Sequence, residues 1–295
     1  MATTTPRRAD RRGSSVLRPR TAQRPRPLAH VALVLAALVM LYPVLWMVSA
    51  SFKPNAEVLT SPSLWPGHAT LENFVEGWTA IGEPFQVYLL NSLLICLAAV
   101  VGNVLSSSLA AYAFARLEFV GRRVFFAAML ATLMLPQHVT LIAQYTIFRD
   151  LGWIDTPLPL VVPKFLATEA FFIFLMVQFI RALPQELFEA ARIDGCGHVA
   201  IYRRIVLPLL TPALVTTAIF SFIWTYNDFF SQLIYLSSPD ELTVPLALRS
   251  FLDSQGQSQW GEMMAMSIVT LVPVIVVFIL FQRRIVAGMA TSGLK

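Results

Sequence analysis

Two carboxylates, Glu169 and Asp228, lie inside long apolar stretches. An ionised side chain at the centre of a membrane helix costs about 2.5 to 3.5 kcal/mol on insertion scales, so such groups face a cavity, a partner or a helix end. For Asp228, a capping or helix-packing role beside Asn227 and a place on a polar pathway are both open. For Glu169, cavity lining and structural pairing are both open. Pro136 frees a backbone carbonyl, and Gln137, His138 and Gln144 follow it, either to satisfy a kink or to form a polar wall. Trp224, Tyr226 and Asn227 add aromatic faces and an amide next to Asp228.

The missing patterns narrow the chemistry. No Gly-x-x-x-x-Gly-Lys-Ser/Thr loop is present to cradle nucleotide phosphates, and none of Lys53, Lys164 and Lys295 follows a glycine. There is no GxSxG elbow and no HExxH pair. His30, His68, His138 and His198 are scattered, and Cys96 and Cys196 have no CxxC partner, so no metal site or disulfide framework is expected. The residues point to a chain that is not an enzyme and binds no cofactor or metal itself.

The elements that position these groups follow from composition. Of 295 residues, 56% are hydrophobic and 13% charged, with a mean hydropathy of +0.65. Soluble domains carry about 25% charged residues, so the deficit points into a lipid bilayer. Six runs keep their apolarity over a bilayer's thickness, with charges mainly at the flanks: approximately 30–50, 87–115, 124–147, 158–180, 207–236 and 263–281. The expected fold is an all-α integral membrane protein with six transmembrane helices.

Residues 1–28 hold Arg7, Arg8, Arg11, Arg12, Arg18, Arg20, Arg24 and Arg26 among Pro, Ser and Thr, too polar a mixture to bury a core, and read as a disordered tail. Because the tail abuts an apolar run, it reads as a topological anchor rather than a nucleic-acid arm. With both termini in the cytoplasm, all of the 22 lysines and arginines except Lys53, Arg149, Lys164 and Arg249 fall on the inside, as the positive-inside rule requires.

Two connections stand out. Between the first and second runs, Leu71, Phe74 and Trp78 recur at helical spacing, consistent with a short helix lying on the headgroups or receiving an external protein. Between the fourth and fifth, Pro184 opens a short helix, Leu187, Ala190 and Ala191 share a face with Ile193 beside them, and Asp194-Gly195 stops it. A second helix restarts near His198 and reaches Pro208, where a break or kink is expected. The alanines offer a surface that another protein can approach closely.

The spacing Glu189-Ala190-Ala191, three residues, Gly195, nine residues, Ile205, one residue, Leu207-Pro208 resembles the EAA loop of binding-protein-dependent ABC importer permeases. Asn91-Ser92, the run Ala110 to Arg116, Tyr226-Asn227-Asp228-Phe229 and the terminal stretch from Gln282 to Gly293 extend the likeness over residues 30–295 to the smaller membrane subunit of carbohydrate importers of the maltose-permease type. In that subclass tryptophan commonly stands where this chain has Tyr226.

The resemblance implies a type-1 transmembrane domain over residues 29–295, with the coupling loop between helices 4 and 5 at the cytoplasmic membrane face. It implies that Glu186, Glu189, Ala190, Ala191, Asp194, Gly195 and Pro208 couple the chain to a cytoplasmic ATPase dimer that binds ATP and Mg. A homologous sibling permease, an extracytoplasmic solute-binding protein and the bilayer complete the assembly. It makes Gln137, Glu169, Trp224, Tyr226, Asn227 and Asp228 candidates for a sugar pathway, since sugars are held by aromatic faces with amides or carboxylates. Another polar solute, such as a polyamine, peptide or glycerol phosphate ester, is the alternative cargo. A secondary transporter would require paired interrupted spans in two related halves, and no such symmetry is visible.

Overall fold

The computed structural model describes residues 27–252 and 258–292, omitting side chains at 27–29, 137–138 and 283–292. The Arg-rich stretch up to Arg26 lies outside the described residues. Those described form helices and turns, with no strand among them. In chain order the helices are α1 Pro27–Ala50, α2 Asn55–Val58, α3 Glu72–Gly77, α4 Phe85–Arg116, α5 Arg122–Thr132, α6 Gln137–Asp150, α7 Leu158–Phe165, α8 Ala170–Arg181, α9 Gln185–Ile193 and α10 His198–Ile201. A π-helical turn, Tyr202–Val206, leads into α11 Leu207–Leu209, α12 Thr211–Tyr226, α13 Phe230–Tyr235, a 3-10 turn Pro239–Glu241, α14 Val244–Ser250 and α15 Trp260–Ser292.

Prolines set many of the boundaries. Pro54, Pro84, Pro136, Pro157 and Pro184 each immediately precede a helix, where the missing N–H leaves no helical bond unmade.

The part of α1 up to Val44 forms a compact unit of its own. From His30 its apolar side chains are exposed all round, as expected of a helix whose solvent is hydrocarbon. In the remainder, α4 is the central element, about 48 Å long for its 32 residues, with α7, α8 and α12 packed along it. Its Phe85 end joins Tyr226, Val244, Phe251 and Met266 in one buried cluster. Its Arg116 end joins Met176, Phe188, Ile201 and Ala213 in another.

Four helices are long and apolar enough to cross a membrane: His30–Ala50, Phe85–Arg116, Leu158–Arg181 and Trp260–Gln282. A bent pair, His198–Leu209 with Thr211–Tyr226, makes five. The third expected run, 124–147, is two helices: Pro136 starts α6 instead of kinking a continuous helix. The fourth is interrupted at 166–169, where Ala167 takes φ 56°.

The fifth corrects the expected break at Pro208. That proline sits within α11, and the 73° bend falls at Leu210. Pro212 explains the shift, because its ring would crowd the Pro208 carbonyl in a continuous helix. That carbonyl instead accepts the Thr211 hydroxyl at 2.7 Å.

The short helix predicted after the first run is α3. It does not lie free: Asn73 and Gly77 are buried where α3 packs against α15, while Leu71 and Val75 stay exposed.

Candidate functional site

At the Arg116 end of α4, α9 is held by two side chains from inside the fold. Phe188 and Ala191 are buried with Met176, Val177 and Ile180 of α8. Arg116 donates to the carbonyls of Ile180 at 2.7 Å and Leu183 at 2.9 Å, satisfying the end of α8, and its guanidinium lies 3.8 Å from the Phe188 ring centroid. Helical phase then turns Glu186, Leu187, Glu189, Ala190, Ile193 and Asp194 outward.

Ala191 is therefore not on the outward face with Ala190 and Leu187. Phe188, a larger apolar group, sets the phase and takes Ala191 inward. Leu187 is 42% and Ile193 85% exposed, leaving an exposed apolar strip edged by carboxylates.

The helix ends in a complete Schellman turn: Gly195 has φ +75°, its N–H donates to the Arg192 carbonyl, and the Cys196 N–H donates to that of Ala191. A Cβ at Gly195 would meet nothing within 4 Å, so backbone conformation alone selects glycine there. The elbow continues into α10 and is tied to α4 by Tyr112 with His198 at 3.4 Å and Ser108 with Tyr202 at 2.8 Å. Pro208 is exposed on α11, beyond the elbow. The contributions of Arg116 and Phe188 were not singled out from sequence, although the alternation of large and small residues in Leu187-Phe188-Glu189-Ala190-Ala191 carried the signal for Phe188.

The pathway candidates separate. Trp224 is 46% exposed and stacks on Phe172, with centroids 5.2 Å apart and planes at 22°. Phe172 lies one turn after Glu169, whose carboxylate pairs with Lys164. Tyr226 is buried, stacks on Phe222 and donates to the Thr270 carbonyl at 2.9 Å. Asn227 is exposed and donates back to the Ile223 carbonyl. Asp228 accepts the Ser231 N–H at 3.0 Å and caps α13. The Gln137 side chain lies outside the described residues.

The other end of α4 carries polar ties that sequence did not reveal. Lys53, fully buried, donates to the carbonyls of Ser61 and Ser63. Asn55 donates to both oxygens of the buried Glu262 and accepts the Gly261 N–H. Asn73 donates to the Ser51 and Lys53 carbonyls.

Asp155, at φ +61°, accepts the Ser238 hydroxyl and the N–H groups of Ser238 and Ser237, which hold its carboxyl down at about 2. Burial, reinforced by Asp240 and Asp155, pushes Glu241 up. Asn91 donates to the carbonyls of Asp240 and Leu242, which joins this knot to α4.

Comparison with known proteins gives consistent findings. A family described as "Binding-protein-dependent transport system inner membrane component" matches residues 102–291, more than half the chain. The diacetylchitobiose uptake system permease protein DasC of Streptomyces coelicolor is 33% identical, over 90% of this chain and 96% of its own. The trehalose/maltose transport system permease protein MalG of Thermococcus litoralis is 34% identical, over 92% and 97%. A crystal structure of a bacterial ABC transporter that imports the acidic polysaccharide alginate superposes with a TM-score of 0.76 at 23% identity, covering 87% of this chain and 95% of that one, a likeness of fold.

Proposed function

The chain belongs to the binding-protein-dependent transport system inner membrane components, and from that premise we propose that it is the permease subunit of an ABC importer that carries a mono- or oligosaccharide into the cytoplasm. The observation that carries the coupling half of this reading is α9. A helix clamped from within by Phe188 and Arg116 presents an exposed strip of Leu187, Ala190 and Ile193. An apolar strip rimmed by Glu186, Glu189 and Asp194 suits a groove on a separate protein.

The partner is a cytoplasmic ATPase dimer, which supplies the nucleotide chemistry. When its groove moves, α9 moves with it. Phe188 and Arg116 pass the displacement to α8 and α4, and Tyr202 passes it to the π turn and onward to α12. A sibling permease completes the pathway, and an extracytoplasmic binding protein delivers the solute. Positive-inside counting sets α9 and both termini in the cytoplasm of a bacterial cell. The broken pair α5 and α6 then makes the sixth crossing.

Both relatives described above are named for sugars, which favours carbohydrate over a polyamine, peptide or glycerol phosphate ester. Of the pathway candidates, Trp224 has the exposed aromatic ring, backed by the buried Phe172, a surface suited to the apolar side of a sugar ring.

The test is to purify the complex from its native host, identify the associated subunits by mass spectrometry, and measure ATP-driven uptake of trehalose, maltose and diacetylchitobiose in vesicles. Recovery of an ATPase, a second permease and a sugar-binding protein, with ATP-dependent uptake, is expected. Solute accumulation by the isolated chain without an ATPase would overturn the reading.

A further inference from the structure

Helices α4 and α12 meet along a seam of small residues at every fourth position. Ala99, Asn103, Ser107 and Ala111 line α4, and Ala213, Thr217 and Ser221 line α12, none more than 2% exposed. This is the spacing that brings membrane helices into close approach. The helices are antiparallel: Ala111 and Ala213 share one cluster, Cys96 and Tyr226 the other. Asn103 Nδ2 donates to Ser221 Oγ at 2.8 Å and sets the register. One turn along, Ser107 stands level with Thr217.

Three polar atoms on this seam are buried without a hydrogen-bond partner among the described residues: Asn103 Oδ1, Ser107 Oγ and Thr217 Oγ1. Hydroxyls in helices can bond back to a carbonyl of the preceding turn, as the buried Ser108 does to Leu105 and the half-buried Thr216 to Pro212. Leaving such groups idle costs stability, and apolar residues of the same shape would avoid that cost. The seam also lies on the route from the elbow, since α12 follows α11 across the 73° bend.

Resting on the transport reading above, we propose that Asn103, Ser107 and Thr217 are positioning residues of the transport cycle: Asn103 Oδ1, Ser107 Oγ and Thr217 Oγ1 idle in the arrangement described here and become hydrogen-bonded when α12 slides or rolls against α4 in the cycle's other state. The small side chains give α12 room to move without a clash. Ser107 and Thr217 then favour the other state, and without them the transition between states slows.

The experiment uses the full complex in vesicles, with three permease forms: wild type, the double variant Ser107→Ala with Thr217→Val, and the single variant Thr217→Ser. Uptake of trehalose, maltose and diacetylchitobiose is measured beside the melting temperature. The expected result for the double variant is a maximal uptake rate roughly ten-fold lower, with solute KM unchanged and melting temperature equal to or above wild type. Thr217→Ser keeps the wild-type rate.

A double variant that melts at or above wild type but transports normally would overturn the proposal, because the idle groups would then be only a cost. A double variant that melts lower, or a serine variant as slow as the double one, would also overturn it by showing a structural role. Failure of the wild-type complex to use ATP for uptake would instead bring down the functional reading and this proposal together.

Discussion

At the Phe85 end of α4 the connecting segments hydrogen-bond to one another, whereas at the Arg116 end the elbow turns a whole helix face away from its own chain. Lys53, Asn55, Asn73, Asp155 and Glu262 are each satisfied by groups of the same chain. Glu186, Leu187, Ala190 and Ile193 touch little within it. One end is internally satisfied, and the other leaves a helix face exposed. Substitutions at the first end should therefore cost stability, and substitutions at the second should cost function while the fold survives.

The sharpest contrast is between two glycines. A Cβ at Gly261 would sit 2.5 Å from Asn73 Oδ1, so Gly261→Ala must displace Asn73 from the Ser51 and Lys53 carbonyls. A loss of about 2 to 4 kcal/mol is expected for breaking a buried network of this kind, read as a lower melting temperature of the purified complex. At Gly195 a Cβ would meet nothing within 4 Å, so the cost of Gly195→Val is dominated by the left-handed backbone, about 1 to 2 kcal/mol. The complex should assemble less tightly and lose most uptake. Normal uptake with normal ATPase recovery in this variant would break the comparison, because the turn would then transmit nothing.

Smaller effects sharpen it. Asp155 is held below its unfolded value of about 4, so its contribution to stability is fully present above pH 4 and is lost as pH falls through its folded value of about 2. Asp155→Asn should flatten the acid limb of the melting profile between those values; because the group is only partly buried, the effect at pH 7 should be modest. Glu189→Arg should be the mildest for the fold, within about 0.5 kcal/mol as for exposed sites generally, yet it should visibly reduce the ATPase recovered with the permease. Its Gln185 neighbour loses only an exposed contact.

How far these differences were legible depends on where the determining partner lies in the chain. The elbow is a local object: Pro184, Asp194 and Gly195 act within a turn of themselves, and their spacing announced both helices and the stop between them. The long apolar runs were equally visible, because hydrophobicity is summed over residues. Helix phase was not, since Ala191 faces inward through Phe188, whose cation arrives from Arg116 on α4.

The interruptions at 133–136 and 166–169 are backbone events inside runs that are apolar on average, so composition passes over them. The Tyr226 hydroxyl finds its acceptor at Thr270, 44 residues away. The Asn55 to Glu262 tie spans 207 residues, and no local pattern could have announced it.

The central claim is that the outward face of α9 seats in a separate ATPase. A photo-crosslinking amino acid placed at Ala190 in the native complex tests it directly, with the same group at the exposed Trp65 as the control on the opposite end. The account predicts a covalent adduct with the ATPase from position 190 and none from position 65. Equal capture from both positions, or no ATPase adduct from position 190 in a complex that transports, would contradict it.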